Sequence, residues 1–217
     1  SNVHTVGVGI DTQMLVSNRV VCNDEIYQKM DADKDAIKLL YVGRFEERRN
    51  IRFIIDVLQK VQMQNDKVKL YMIGTGEKEY VQSCFSYINE LGLKDKVIWQ
   101  EKMEQKFLSG IYQMADFFVL PTEYEIFGMV LLEAMYYKTV VLTTQNGGSS
   151  TVMCNGKNGY IVQTKDPRKW ASVITDTYKD RGRMKMIQNN AHEVIEKKYT
   201  WDMVSERFLI QYNKLLE

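Results

Sequence analysis

Proline is nearly missing from this chain: Pro121 and Pro167 are the only two among 217 residues, so no proline-rich linker divides it. Histidine is as scarce. His4 and His192 stand far apart, which argues against a metal-binding imidazole pair and against a Ser-His-Asp relay. The three cysteines, Cys22, Cys84 and Cys154, are odd in number and widely spaced, so neither a disulfide framework nor a zinc site is indicated, and a reducing compartment fits best. Charge is balanced at +1, which excludes a global electrostatic footprint for nucleic acid. No apolar window is long enough to span a bilayer. There is no initiator Met, signal-peptide pattern, internal repeat or low-complexity tract; Ser1-Asn2 reads as a tag remnant, on which the chain would be an excised piece of a longer one. The absence of a Gly-x-x-x-x-Gly-Lys phosphate loop argues against a nucleoside triphosphatase.

What remains is ordinary globular composition, 45% hydrophobic and 26% charged, in a length that permits one large domain with a sizeable core or two small ones. Six short apolar runs read as strands: Leu39 to Val42, Val68 to Ile73, Val97 to Trp99, Phe117 to Leu120, Val140 to Leu142 and Tyr160 to Val162. Helical spacing separates them, as in Ile51, Ile54, Leu58, Val61 and in Val81, Cys84, Phe85, Ile88. Repeated βαβ units follow. The expected fold class is α/β, a Rossmann-like doubly wound parallel sheet with helices on both faces. Residues 1–37 form a less regular opening segment, 38–200 the ligand-binding domain and 201–217 a terminal helix. The stripes Trp170, Val173, Ile174, Thr177, Tyr178 and Trp201, Val204, Phe208, Tyr212, Leu215 keep a 3.6 period and are expected to pack in the core.

Ligands of such sheets sit at the C-terminal ends of the strands. Gly43-Arg44, Gly74-Thr75-Gly76, Pro121-Thr122 and Gly147-Gly148 each fall at one. After the fourth strand, residues 121–137 place Glu133 inside an otherwise apolar helical run, with Glu125 eight residues before it. An ionised carboxylate on a buried helix costs several kcal/mol unless something polar meets it. No Lys, Arg or His lies within one helical turn of Glu133, so the simplest partner is a polar ligand. The Phe127-Gly128 step suits one, because free N–H groups at a helix start favour a phosphate and glycine permits close approach. On this segment alone, Glu133 snorkelling from the helix edge and Glu125 as an ordinary loop acid stay open.

Other motifs are weaker. Asp31 to Asp35 superficially resembles a calcium loop, but Ala36 replaces its glycine and Val42 its glutamate; a solvated turn is expected there. Gly74-Thr75-Gly76 would open a dinucleotide fingerprint, but Glu79 holds the third glycine position. Arg44 and Arg49 follow the first strand, where cations can converge on an anionic ligand; a solvated Arg/Glu cluster is the alternative.

Taken in order, Val42-Gly43-Arg44-Phe45 with Arg49 in place of a lysine, Met72 to Glu77, Leu120 to Met135 with its two glutamates, and Gly147 to Gly159 resemble the C-terminal donor-binding domain of GT-B glycosyltransferases of group 1, or family 4. The resemblance covers roughly residues 38–165. It implies one half of a GT-B fold, with Arg44 and Arg49 holding the donor diphosphate and the amides of Phe127, Gly128, Met129 and Val130 capping it. Glu133 would bond the nucleotide ribose, and Glu125 would be the catalytic contact to the transferred sugar. It further implies a retaining, metal-independent hexosyltransferase without cofactor, using a UDP-sugar or GDP-sugar and a glycan or lipid-linked acceptor. Gly9-Ile10-Asp11 resembles the element after the interdomain linker, so the N-terminal GT-B domain would be missing and the piece alone inactive. Thr151 stands where the family usually carries a glutamate. A cytoplasmic place is implied, which leaves room for peripheral membrane association of the full-length protein. Another GT-B chemistry, such as an epimerase or phosphorylase, and a noncatalytic nucleotide-sugar-binding module are the alternatives.

Overall fold

A computed structural model describes residues 7–12 and 25–216, the side chains of residues 215 and 216 excepted. His4, Cys22 and Ser1-Asn2 lie outside the described residues. The elements run α1 (Glu25–Ala32), β1 (Ile37–Val42), α2 (Ile51–Gln62), β2 (Val68–Ile73), α3 (Lys78–Glu90), β3 (Val97–Gln100), α4 (Gln105–Met114), β4 (Phe117–Leu120), α5 (Met129–Tyr136), β5 (Val140–Thr143), α6 (Gly147–Val152), β6 (Tyr160–Ile161), α7 (Pro167–Lys179), α8 (Arg181–Lys198) and α9 (Trp201–Leu216). All six expected strands form.

They make one sheet in the order β3-β2-β1-β4-β5-β6, every pair parallel. The chain builds outward from β1 to β3, crosses back, and builds outward again from β4 to β6. That reversal opens a crevice between the C-terminal ends of β1 and β4, the position where sheets of this kind bind ligands. Right-handed crossovers place α2 and α3 on one face and α4 and α5 on the other. Contacts agree: α7 packs on α2, while α1 packs on α4 and α8 on α5.

The central strands are buried on both faces, which is why their sequences are continuous apolar runs and not alternating ones. Helix α2 turns Ile51, Ile54, Ile55, Val57, Leu58 and Val61 inward, each such side chain contributing about 1.5–3 kcal/mol relative to exposure. Side-chain caps set some of the other helix starts. Asn146 and Ser149 form a reciprocal capping box on α6, and Asp166 accepts from the Arg168 amide at 3.0 Å just before Pro167 opens α7.

Two expectations about the periphery need adjustment. Trp170, Ile174 and Thr177 of α7 are buried as expected. Among the described side chains of α9 only Val204 is buried; Trp201, Phe208 and Tyr212 are about half exposed, and the Leu215 side chain lies outside the described residues. A 3.6 period marks one side of a helix as apolar but does not say what covers it, and among the described residues α9 meets chiefly α8 and Ile10. Asp31 to Asp35 closes α1 and turns into β1. Most of it is solvated as expected, but the Asp33 carboxylate accepts a hydrogen bond from the Tyr71 hydroxyl.

Candidate functional site

The loops after β1 and β2 touch backbone to backbone. The Gly43 amide donates to the Ile73 carbonyl at 3.0 Å, the Phe45 amide to Thr75 at 2.9 Å, and the Gly74 amide to Gln100 at 3.0 Å. These loops, with Glu101 to Met103 and Leu108, line an open cavity of about 580 Å³, a size that takes a nucleotide. Arg44 stands at its rim. Its side chain is 76% exposed and pairs with Glu46 at 3.1 Å, while Arg48 takes the other oxygen of the same carboxylate at 2.6 Å.

The β1 loop is also laced to the loop after β4. Asn50 donates its side-chain amide to the Pro121 carbonyl at 3.0 Å, and the Glu123 amide donates to the Arg48 carbonyl at 3.2 Å. Thr122, fully buried, reaches the Arg48 and Tyr124 carbonyls at 3.2 and 3.0 Å. This lacing brings Arg49 and Glu125 together. Nη1 of Arg49 donates to Oε2 of Glu125, with the two side chains only 15% and 14% exposed, and the buried Nε of Arg49 has no partner. Three residues later Gly128, in the left-handed conformation at φ 74°, caps α5 and starts a helix whose first amides have no partner within the helix. Helix α6 closes the far side: the Gly148 amide donates to the Glu125 carbonyl at 3.2 Å, and a side chain at position 148 would collide with the Phe127 carbonyl.

Glu133 projects from α5 toward α4. Its Oε2 accepts from the Tyr112 hydroxyl at 3.0 Å. The protein also supplies a partner of its own: a neutral phenol from the neighbouring helix meets one oxygen of the carboxylate, a contact across 21 residues that inspection of one helical turn does not reach. Burial raises the Glu133 carboxyl above its ordinary value and the Tyr112 bond opposes the shift. The same burial and the nearby carboxylate push the Tyr112 phenol well up.

The Glu133 shift fixes a sign. A carboxyl that holds its proton more tightly folded than unfolded lowers stability as pH rises from 4.5 through its folded value. Glu133→Gln is expected to stabilise the fold by about 0.5–2 kcal/mol at pH 7, a gain that shrinks as pH falls through the folded value and is lost by about the unfolded value of 4.5. Thermal denaturation at pH 4 and pH 7 checks it; an equal gain at both would contradict the assignment.

The model of the family described as glycosyl transferases group 1 matches residues 23–194. The chain belongs to that family. Among relatives, an uncharacterized glycosyltransferase of Methanocaldococcus jannaschii is 30% identical over 185 residues, 84% of this chain and 46% of that protein. A lipopolysaccharide 1,2-N-acetylglucosaminetransferase of Salmonella typhimurium is 28% identical over 196 residues, 85% of this chain and 50% of that protein. The chain spans about half the length of the curated relatives it matches. Solved structures agree on the fold. HepE of Anabaena, in complex with UDP and glucose, superimposes with a TM-score of 0.82 at 17% identity, covering 95% of this chain and 55% of that one. The C-terminal domain of a glycosyl transferase group 1 family protein from Francisella tularensis gives 0.75 at 21% identity, covering 89% of this chain and all of that one. The fold is that of the C-terminal half of a GT-B glycosyltransferase.

Within this group 1 domain, the structure brings Arg49 and Glu125 into one ion pair, sets Gly128 at the α5 start against the Glu125 side chain with Phe127, Met129 and Val130 next to it in the chain, and holds Arg44 at the rim of a cavity whose lining includes neither member of the pair nor Glu133. Asn50 and Tyr112 were missed in the sequence, and Thr122 was read only as a strand end. Asn50 carried a faint signal as a polar residue just before a helix, and Tyr112 looks like core because Leu108 and Ile111 surround it with helical spacing. Among the described residues no group of three His, Cys, Asp or Glu could hold a metal ion, and no helix is long and apolar enough to cross a membrane.

Proposed function

We propose that this chain is the donor-binding half of a retaining hexosyltransferase that moves a sugar from UDP or GDP to a glycan or lipid-linked acceptor. The observation that carries the reading is Arg49: a largely buried cation whose Nε has no partner, paired with Glu125 close to the start of α5. A diphosphate fits this chemistry, since its oxygens accept from guanidinium N–H groups and from a helix start. Arg44 holds the same group from the rim. Glu133, with one oxygen engaged by Tyr112, receives ribose hydroxyls on the other, and Glu125 contacts the sugar. As the nucleoside diphosphate departs, negative charge grows on it, and the arginines with the helix N-terminus stabilise that charge without requiring a metal. The UDP and glucose named for the Anabaena structure support a nucleotide-sugar donor. The lipopolysaccharide transferase of Salmonella supports a glycan or lipid-linked acceptor. Because the relatives are about twice as long, the acceptor cleft is assigned to an N-terminal domain, at the cytoplasmic face of a membrane or free of it.

Calorimetry with UDP, GDP and their sugars tests the binding. The chain is expected to bind one nucleoside diphosphate and transfer no sugar, and the same chain joined to its N-terminal domain is expected to transfer it in the presence of chelator. Binding without turnover by the joined protein on a broad donor and acceptor panel would mark a noncatalytic module. Activity abolished by chelator and restored by manganese would overturn the metal-independent mechanism.

A further inference from the structure

The contact between Tyr112 and Glu133 links two parts of the site that the sequence keeps apart. Leu108, one turn before Tyr112 on α4, lines the cavity beside the β1 and β2 loops. Tyr112 itself is fully buried, and its placement is fixed on several sides. Its carbonyl accepts from the Thr139 hydroxyl at 2.7 Å, its ring stacks on Tyr137 with centroids 5.9 Å apart and planes 10° apart, and it leans on Phe118 at 5.8 Å. A phenol held in this way is a rigid donor with one hydrogen to give, and Oε2 of Glu133 takes it.

Helix α5 alone would not hold the carboxylate still. A glutamate side chain turns about three bonds, and fixing it costs about 1.5–2 kcal/mol of lost rotamer freedom. A carboxylate that is to receive ribose hydroxyls gains by being oriented beforehand, because that cost is then met in folding and not in binding. We infer that Tyr112 is a positioning residue of the donor site: by holding Oε2 of Glu133 it presents Oε1 to the ribose of the nucleoside diphosphate. The inference rests on the reading of Glu133 as the ribose-binding group. It also explains why a hydroxyl is retained on the buried face of α4, next to Ile111 and Ser109, where phenylalanine would fill nearly the same space. The bond to Tyr112 further favours the charged form of Glu133, the better acceptor, against the effect of burial.

The discriminating ligands are a nucleoside diphosphate and its 2′,3′-dideoxy form, which differ only in the hydroxyls that Glu133 would receive. Both the uridine and the guanosine pairs are measured by calorimetry on this chain, and the tighter-binding base is followed. The natural protein is expected to prefer the ribose form by about 10-fold or more, the worth of a hydrogen bond to a charged group. In Tyr112→Phe that preference should fall to within about threefold of parity while affinity for the dideoxy form stays within twofold. In a Glu133→Ala background the preference is already lost, and adding Tyr112→Phe should change neither affinity, because the effect passes through the carboxylate. That double variant buries no unmet charge, so it remains measurable where the single Tyr112→Phe chain does not fold. A Tyr112→Phe protein that keeps the full preference, or that weakens both ligands equally, would show a merely structural phenol and overturn the inference. So would a further loss on adding Tyr112→Phe to Glu133→Ala. A natural protein that binds both forms equally gives a different pattern, one that removes the ribose-binding reading of Glu133 together with what is built on it.

Discussion

Gly74→Ala is expected to lower stability by about 2–6 kcal/mol, the sum of overpacking at about 1–3 and backbone strain at about 1–3. Gly74 sits at φ 140°, where side chains are disfavoured, and the first carbon of any side chain would fall inside the contact radius of the Gly43 carbonyl oxygen. Neither side can yield cheaply. The Gly43 amide is bonded to Ile73, the Gly74 amide to Gln100, and the Trp99 indole N–H donates to the Gly74 carbonyl at 2.8 Å. Urea denaturation should show a lower midpoint with an unchanged slope. Gly182→Ala is the control, because Gly182 lies within α8 with only the Asp180 carboxylate near; there alanine is expected to be neutral or stabilising by up to about 1 kcal/mol. Equal effects at the two positions would mean that the two loops part more easily than their hydrogen bonds imply.

Loss of Arg49 should weaken nucleoside diphosphate binding by roughly 10-fold to 150-fold, or about 1.5–3 kcal/mol, the range for a hydrogen bond to a charged group. Arg44→Ala should cost less, because its side chain is largely in water and already shares Glu46 with Arg48. The partner residue separates this account from a simple loss of charge. Glu125 holds the guanidinium that a diphosphate would need, so on the proposed function binding exchanges one anion for another on Arg49. Glu125→Gln removes the competitor and is expected to tighten binding of the free nucleoside diphosphate while lowering sugar transfer in the joined protein. Calorimetry and turnover read the two effects separately. Tightening in neither UDP nor GDP, together with full activity in Glu125→Gln, would leave the pair as a structural ion pair only.

The sheet was legible in the sequence because strands buried on both faces must be short apolar runs, and Leu39 to Val42 and Phe117 to Leu120 are written that way. The strand-end glycines were legible too. Gly74 and Gly148 mark places where one backbone passes against another, and no larger residue would serve. What sequence inspection did not supply was pairing at a distance. Nothing local to Arg49 points to Glu125, and nothing on the apolar stripe of α4 distinguishes Tyr112 from its packing neighbours. The stripe of α9 misled for a related reason. Amphipathic spacing reports that Trp201, Phe208 and Tyr212 share a side of the helix, while their cover depends on a neighbour that the pattern does not name.

The lacing between the β1 and β4 loops also has a kinetic meaning. Arg49 and Glu125 stand 76 residues apart in sequence, and β1 and β4 pair in register at Leu39 with Phe117 and Leu40 with Phe118, with the Asp116 amide bonded to the Lys38 carbonyl beside them. Contacts of such long range form slowly, since the entropy of closing the loop is lost before any contact repays it. The segment from β1 to β3 can gather its strands locally; the seam with β4 must wait for the return crossover. On the proposed function, a newly made chain would therefore have no diphosphate pocket until that seam has closed, and a nucleotide present during folding would act only on the finished sheet, holding its two halves together at the strand ends.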